Sequence, residues 1–340
     1  MSLPNLSAGR RSFPRTALAS ALGLALALPA IAATAQIDAA ALHAQAVAQF
    51  QALPAQAPGS ENDTREMIEL GRQLYFDTAL SLDNSQSCNS CHRIDNALGG
   101  VDNLPTSPGV KGENGSRNSP TVLNAALQIA QFWDGRAADL AEQAKGPVLN
   151  PVEMAMPDEA TVVARLLAKR EYAGAFAAAF PGVPDPVSYD AMASAIAAFE
   201  RTLLSHDRFD DFLGGDLAAL NEAERAGLKT FMDTGCTACH NGVALGGNSY
   251  MKLGLVKPYL ASDDVGREQV TGNPADRQVF KTPMLRNIAL TAPYFHNGQV
   301  ATLDEAVRQM AEYQLGRQLD DRQVAQIVAF LNALTDKARS

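Results

Sequence analysis

The chain is poor in the residues that usually build or cross-link a core. Its 340 residues include only four cysteines and one tryptophan, and aromatic residues make up 6%. All four cysteines fall in two short motifs, so none is left for a disulfide framework, even in a compartment that would permit one. Positive charge is also scarce, with 28 Lys+Arg against 37 Asp+Glu and a formal net charge of −9. That balance argues against nucleic acid as a partner. It suits docking of a small basic partner protein by charge steering, and equally suits solubility alone. No convincing period-two strand pattern is visible. The one long apolar run, Ala17–Ala33, is short and rich in small residues, which makes a retained membrane anchor the weaker reading.

Residues 1–35 read instead as a secretory signal peptide. Arg10, Arg11 and Arg15 form a basic start, and Ala-x-Ala sites end at Ala32 or Ala35. Arg10-Arg11-Ser-Phe also resembles a twin-arginine signal. The general secretory route and a periplasmic destination are expected. Loss of the three arginines leaves the mature chain more acidic still. Its length suits two domains of ordinary size.

What is present is chemistry at fixed spacing. Cys88-Asn-Ser-Cys91-His92 and Cys236-Thr-Ala-Cys239-His240 are both C-x-x-C-H, the attachment motif of c-type haem. The two thiols form thioethers to the porphyrin, and the adjacent His reaches one face of the iron as its proximal ligand. A zinc site would gather four ligands in one short module, and a redox dithiol has no need of the His. Two covalently bound haem c groups are therefore expected, and they would replace much of the core that aromatic residues do not supply.

The expected fold is mainly α, with two cytochrome c-like haem domains in tandem. An Ala/Gln-rich, flexible arm occupies about 36–60, a first domain 61–205 and a second 206–340. Arg65–Ala79 reads as a helix running into the first motif, and the Gly/Asn/Pro/Ser-rich loop 95–119 as irregular. Helical stretches resume near 121–132, 137–145 and 159–180, Pro181–Pro186 breaks the chain, and Asp190–Leu204 has helical spacing. Asn221-x-x-Glu224 caps a helix through Phe231 that delivers the second motif. A loop of about fifty residues (241–290) follows, then helices near 302–314 and 320–337. Helix before the motif, loop after it and a terminal helix packed back is the cytochrome c pattern, here twice.

Several longer segments carry a resemblance. They are Gly99-Gly-Val-Asp-Asn, Arg117-Asn-Ser-Pro-Thr, Gln131-Phe-Trp-Asp-Gly-Arg-Ala, Gln143-Ala-Lys-Gly-Pro, Asn150-Pro-Val-Glu-Met and Leu285 through Gly298. From about 62 to 335 the chain resembles the bacterial dihaem cytochrome c peroxidases, whose superfamily includes the MauG-type protein-oxidising enzymes. The resemblance implies that peroxide reacts at the first haem and that the second is a high-potential electron store. It makes Glu153 the acid/base, Gln143 its hydrogen-bonding neighbour and Trp133 an electron relay between the haems. Cleaving the O–O bond needs a proton moved from the inner to the outer oxygen, and a carboxylate within reach can shuttle it. Without the resemblance, Glu153 reads as a surface-loop acid, Gln143 as a solvated helix residue and Trp133 as core.

For the sixth ligand of the second haem, Met284 has the spacing of small cytochromes c, while Met310 shares an apolar helix face with Leu303, Ala306 and Val307. The family pattern, fourteen residues after His296, implies Met310. A thioether favours Fe(II) and suits an electron reservoir; MauG-type proteins place a Tyr there. Asn118 with the backbone carbonyls of Thr291 and Pro293 matches the family's interdomain Ca²⁺ site, and oxygen ligands suit that ion. His296 is expected to be structural or haem-adjacent, and His43 and His206 to be surface residues. A homodimer, H2O2 as substrate and a small cytochrome c or cupredoxin as donor are implied by the resemblance.

One position departs from the pattern. Many relatives carry a His that caps the first haem iron in the resting oxidised state, and here that position is Val110. Valine cannot ligate iron, so the first haem is open at rest, or Lys111 or water fills the place. The expected consequence is activity without reductive activation. Other readings are a MauG-like oxidiser of a partner protein and a non-catalytic dihaem carrier or sensor.

Overall fold

Side-chain caps set most of the helix starts. Thr64, Asp139, Asp158, Ser188, Asn221, Thr302 and Asp320 each accept a hydrogen bond from a first-turn amide, leaving fewer backbone donors orphaned. The structure is a computed structural model describing residues 37–94 and 98–339, with Met1, Ser2, Gly9 and Ser12 besides. The expected leader thus lies almost wholly outside the described residues. Contacts separate Met1–Gln36 from Ile37–Ser340, and both haem motifs belong to the second unit.

The helices of that unit are α1 (Ala39–Ala46), α2 (Arg65–Phe76), α3 (Cys88–Cys91), α4 (Leu140–Leu149), α5 (Glu159–Ala168) and α6 (Arg170–Ala179). After them come α7 (Tyr189–Glu200), α8 (Arg208–Leu213), α9 (Glu222–Thr234), α10 (Glu268–Thr271), α11 (Leu303–Leu315) and α12 (Asp321–Ala333). The only sheet among the described residues pairs β1 (Tyr250–Lys252) antiparallel with β2 (Val279–Lys281), Met251 opposite Phe280. These strands and α10 break up the loop expected over 241–290. No described helix is long and apolar enough to cross a membrane.

Two cores form around two similar helix crossings. In the first, α2 lies against α7, and Leu70, Leu74, Phe176, Met192 and Ile196 are buried. In the second, α9 lies against α12, and Leu228, Phe231, Ile327 and Phe330 are buried with Phe209 and Phe212. Each fully buried side chain of this kind contributes about 1.5–3 kcal/mol. Both crossings are closed by a glycine: a Cβ on Gly71 would lie 1.8 Å from the Ala195 carbonyl oxygen, and one on Gly227 2.0 Å from that of Gln326. Each motif therefore follows a helix clamped by the helix that ends its domain.

Two expectations fail here for physical reasons. The arm at 36–60 is not flexible throughout: α1 and Phe50 pack into the second core through Leu42, Ala46 and Phe50, and the Leu53 amide donates to Asp210 Oδ1 (2.9 Å). His43 goes with it, edge-on to Phe212 and within 3.2 Å of the Leu213 carbonyl, so it is not a free surface residue. The helix expected near 121–132 is only a 3₁₀ turn, Ala125–Leu127. Asn124 sits at φ +60° with its side chain bonded to Ser205 in both directions (2.7 and 2.9 Å), and that pins the chain out of the helical region.

The two halves also share a repeat. Residues 119–137 and 282–300 align without a gap, matching Pro120 with Pro283, Asn124 with Asn287, Leu127 with Leu290, Phe132 with Phe295 and Gly135 with Gly298. Their backbones agree: Asn124 and Asn287 have φ +60° and +62°, Phe132 and Phe295 +65° and +68°. Both asparagines donate to the same Ser205 hydroxyl at 2.7 Å. The repeats meet reciprocally, Lys281 N donating to Trp133 O (2.8 Å) and Asn118 N to His296 O (2.7 Å).

Candidate active site

Each C-x-x-C-H begins in one tight turn, α3 for the first and the 3₁₀ turn Cys236–Ala238 for the second. The turn presents both thiols and ends on the histidine. Burial pushes the Cys88 thiol up to about 12, Cys91 to about 11 and Cys236 to about 12, and raises Cys239. Thiols so poised are poor thiolate metal ligands and poor redox dithiols, which need the opposite shift. The histidines are oriented alike. His92 Nδ1 lies 3.0 Å from Pro120 O, and His240 Nδ1 lies 3.1 Å from Leu245 O, with Pro283 O also beside it. A carbonyl can only accept, so Nδ1 carries the proton and Nε2 keeps its lone pair for iron. Desolvation lowers both imidazole pKa values, which favours that neutral ligand form.

Around the first motif the structure gathers an acid. Glu153 stands in the turn after α4, the helix that carries half-buried Gln143. Asn150 Nδ2 donates to Glu153 Oε1 at 2.8 Å. Burial raises the Glu153 pKa, only partly offset by the charge of Arg136 and the bond from Asn150. Arg136 is otherwise engaged, with NH1 3.0 Å from Asp134 and its guanidinium 3.5 Å over the Phe132 ring. Val110 belongs to the hairpin 107–115, closed by Gly109 N to Glu113 O (2.8 Å) and docked by Val110 N to Glu153 O (2.9 Å). Lys111 is exposed at the tip.

The second motif opens on an apolar cavity. Cys236, Cys239, His240, Met284 and Met310 line it, and the first domain contributes Phe132 and Trp133. Trp133 donates from Nε1 to Asn118 O (2.8 Å) and meets His296 edge-on at 6.3 Å. His296 is buried, stacked on Phe280 at 4.4 Å and within 2.9 Å of the Ser262 hydroxyl; burial lowers its pKa to about 4. His206 is exposed, as expected for a surface residue. Asn118, Thr291 and Pro293 are all among the residues that line this cavity. Asn118 Nδ2 donates to Leu104 O (2.9 Å), and Asn103 Nδ2 to Leu290 O (2.9 Å) and Ala292 O (2.7 Å). Asn103 Oδ1 is left buried without a partner.

Several residues that shape the site carry no signal of their own in sequence. Arg117 bridges Asp134 (2.6 Å) and Asp264 (2.6 Å), tying the Trp133 segment to the second domain. Lys281, buried, bonds Gln128 across the same boundary. Arg286, 1% exposed, pairs with Asp207 (2.6 Å) and Asp210 (2.8 Å) beneath the second motif. The 119–137/282–300 repeat was the detectable clue to Lys281, which stands one residue before its second copy as Asn118 does before the first.

Comparison with known proteins agrees with this geometry. The family model for di-haem cytochrome c peroxidase matches residues 65–218, and that for cytochrome c matches 225–335. A cytochrome c551 peroxidase of Pseudomonas aeruginosa is 49% identical over 90% of this chain and 89% of its own length. The methylamine utilization protein MauG of Paracoccus denitrificans is 35% identical over 80% of this chain and 89% of its own. The crystal structure of a MauG-like protein associated with microbial copper homeostasis superposes with a TM-score of 0.75 at 30% identity, covering 84% of this chain and 94% of that one. The chain, mainly helical with two cytochrome c-type domains, belongs to the di-haem cytochrome c peroxidase family.

Proposed function

We propose that this protein is a cytochrome c peroxidase that reduces hydrogen peroxide to water, H2O2 + 2 e⁻ + 2 H⁺ → 2 H2O. The observation that carries the reading is the inequality of the two motifs. Glu153, half-buried, held by Asn150 and raised by burial, stands close to Cys91 of the first motif, and among the described residues no carboxylate acts likewise on the thiols or histidine of the second. Haem c bound covalently at Cys88/Cys91/His92 and at Cys236/Cys239/His240 supplies the iron redox chemistry. The Nδ1-anchored histidines and the neutral, half-buried thiols fit that group.

Glu153 then takes a proton from the near oxygen of peroxide and returns it to the far one, which leaves as water. Gln143, on the helix leading into the Glu153 turn, orients the oxidant by hydrogen bonding. Trp133, at the domain boundary with its indole N–H fixed to Asn118, is the relay. Met310, which lines the cavity with Cys236, Cys239 and His240, would supply a thioether to the second haem iron. Asn118, Thr291 and Pro293 would hold calcium, and the unpartnered Asn103 Oδ1, on a side chain bonded to Ala292 O, would offer a further acceptor. Electrons come from a small cytochrome c or cupredoxin drawn by the acidic surface. A periplasmic location rests on the N-terminal pattern, and a homodimer on family resemblance alone.

The Val110 hairpin offers iron no imidazole, and its tip lysine points to solvent. The fully oxidised enzyme therefore reacts without prior reduction. Stopped-flow mixing of oxidised protein with H2O2, alongside low-temperature EPR, tests this. A high-spin first haem that reacts at once is expected; a wholly low-spin resting spectrum with no reaction before pre-reduction refutes it. Turnover with reduced cytochrome c separates peroxidase from MauG-like chemistry and from a carrier or sensor.

A further inference from the structure

Lys281 is 6% exposed, and its Nζ bonds Gln128 Oε1 from the other domain. Among the described residues no carboxylate pairs with it. A buried ammonium without an anion is costly, and one neutral amide does not repay its lost hydration. Yet Lys281 and Gln128 both line the cavity of the second motif, whose expected occupant carries two carboxylates. Position 281 also stands one residue before the second copy of the repeat as 118 does before the first, where a second cation, calcium, is proposed.

We propose that Lys281, steered by Gln128, is the anchor for a propionate of the second haem. The ammonium supplies the missing counter-charge, and the propionate supplies the missing anion. Because Lys281 N donates to Trp133 O, the anchored edge lies beside the relay residue. A fixed positive charge near a haem favours its reduced form, so Lys281 raises the potential of the electron store.

The proposal rests on haem occupancy of Cys236–His240, and not on turnover. Spectroelectrochemical titration of the holoenzyme reads it directly. Lys281→Met is expected to lower the reduction equilibrium constant of the second haem about tenfold, 59 mV for one electron, leaving the first unchanged. Lys281→Arg keeps the wild-type value. The propionate bending mode in resonance Raman shifts in Lys281→Met and the thioether-to-iron charge-transfer band does not. An unmoved second-haem potential, a shift confined to the first haem, or loss of the thioether band overturns the anchor. If Lys281→Met does not mature, a crystal structure of the wild-type holoenzyme decides. A propionate oxygen within hydrogen-bond distance of Nζ is expected, and propionates turned away from it overturn the proposal. Protein without a second haem would instead overturn the functional reading beneath it.

Discussion

Glu153→Gln removes the proposed proton shuttle while keeping shape and a hydrogen-bonding head. In the wild type one bond from Asn150 (2.8 Å) and the distant charge of Arg136 stabilise the carboxylate, but burial outweighs both and raises the pKa. The free enzyme must present the carboxylate to take the first proton. Activity should therefore fall on the acid side as pH drops through that raised pKa, above the ordinary glutamate value of about 4.3. General acid–base catalysis contributes about a hundred- to ten-thousandfold, or ~3–5 kcal/mol of barrier. Steady-state kcat/KM for H2O2, with reduced cytochrome c as donor, should drop by that factor in Glu153→Gln, and its acid limb should vanish. Asn150→Ala removes the donor that favours the charged form, so its acid limb should move to higher pH with little change at the plateau. A Glu153→Gln enzyme within tenfold of wild type, or one keeping the same acid limb, refutes the assignment.

Val110→His restores an imidazole to the hairpin docked on Glu153; the oxidised first haem should become low-spin by EPR and the reaction should require pre-reduction. An unchanged high-spin signal would show that the hairpin does not face the iron. Glu200 is 6% exposed, has a buried oxygen without a partner, and burial raises its pKa to about 8. The folded state holds that proton more tightly than the unfolded chain, so its contribution is complete below about pH 4.3 and is lost as pH rises towards 8. Thermal melts should show Glu200→Gln gaining stability over wild type as pH rises through that window, by a few kcal/mol at most (about 1.4 per pKa unit); parallel melting curves would count against a buried neutral acid.

The parts of this fold readable in sequence are those whose chemistry forces residues to be adjacent. C-x-x-C-H must be contiguous to reach one porphyrin, and a side-chain cap must stand beside the helix it opens, as at Asn221 and Glu224. What could not be read is set by distant partners. The Ala-rich segment after Thr121 has helical spacing, yet Ser205, far along the chain, holds Asn124 in a left-handed conformation. The arm at 36–60 looks like a linker by composition, and only the second core shows where Leu42 and Phe50 go. Buried charges are the same case: Arg286 meets Asp207 and Asp210 from 79 and 76 residues further along the chain.

The repeat explains how one design yields two unequal irons. Residues 119–137 and 282–300 keep what their backbone needs, the left-handed Asn and Phe and the turn Gly, and let other positions diverge. Pro120 and Pro283 each bring a carbonyl to their own proximal histidine, so the anchoring of the two irons is conserved. The divergence lies where the halves touch. Trp133 meets His296, its own repeat partner, and the reciprocal backbone bonds from Lys281 and Asn118 hold the two copies in register. The indole proposed as relay thus comes from one copy, and the buried His296 and the ammonium of Lys281 from the other copy and its border. Swapping Asn118 and Lys281 would preserve composition and total charge but move the ammonium to the other copy of the junction. The potentials of the two haems should then change relative to each other, whereas a charge acting only through the protein as a whole would leave both where they were.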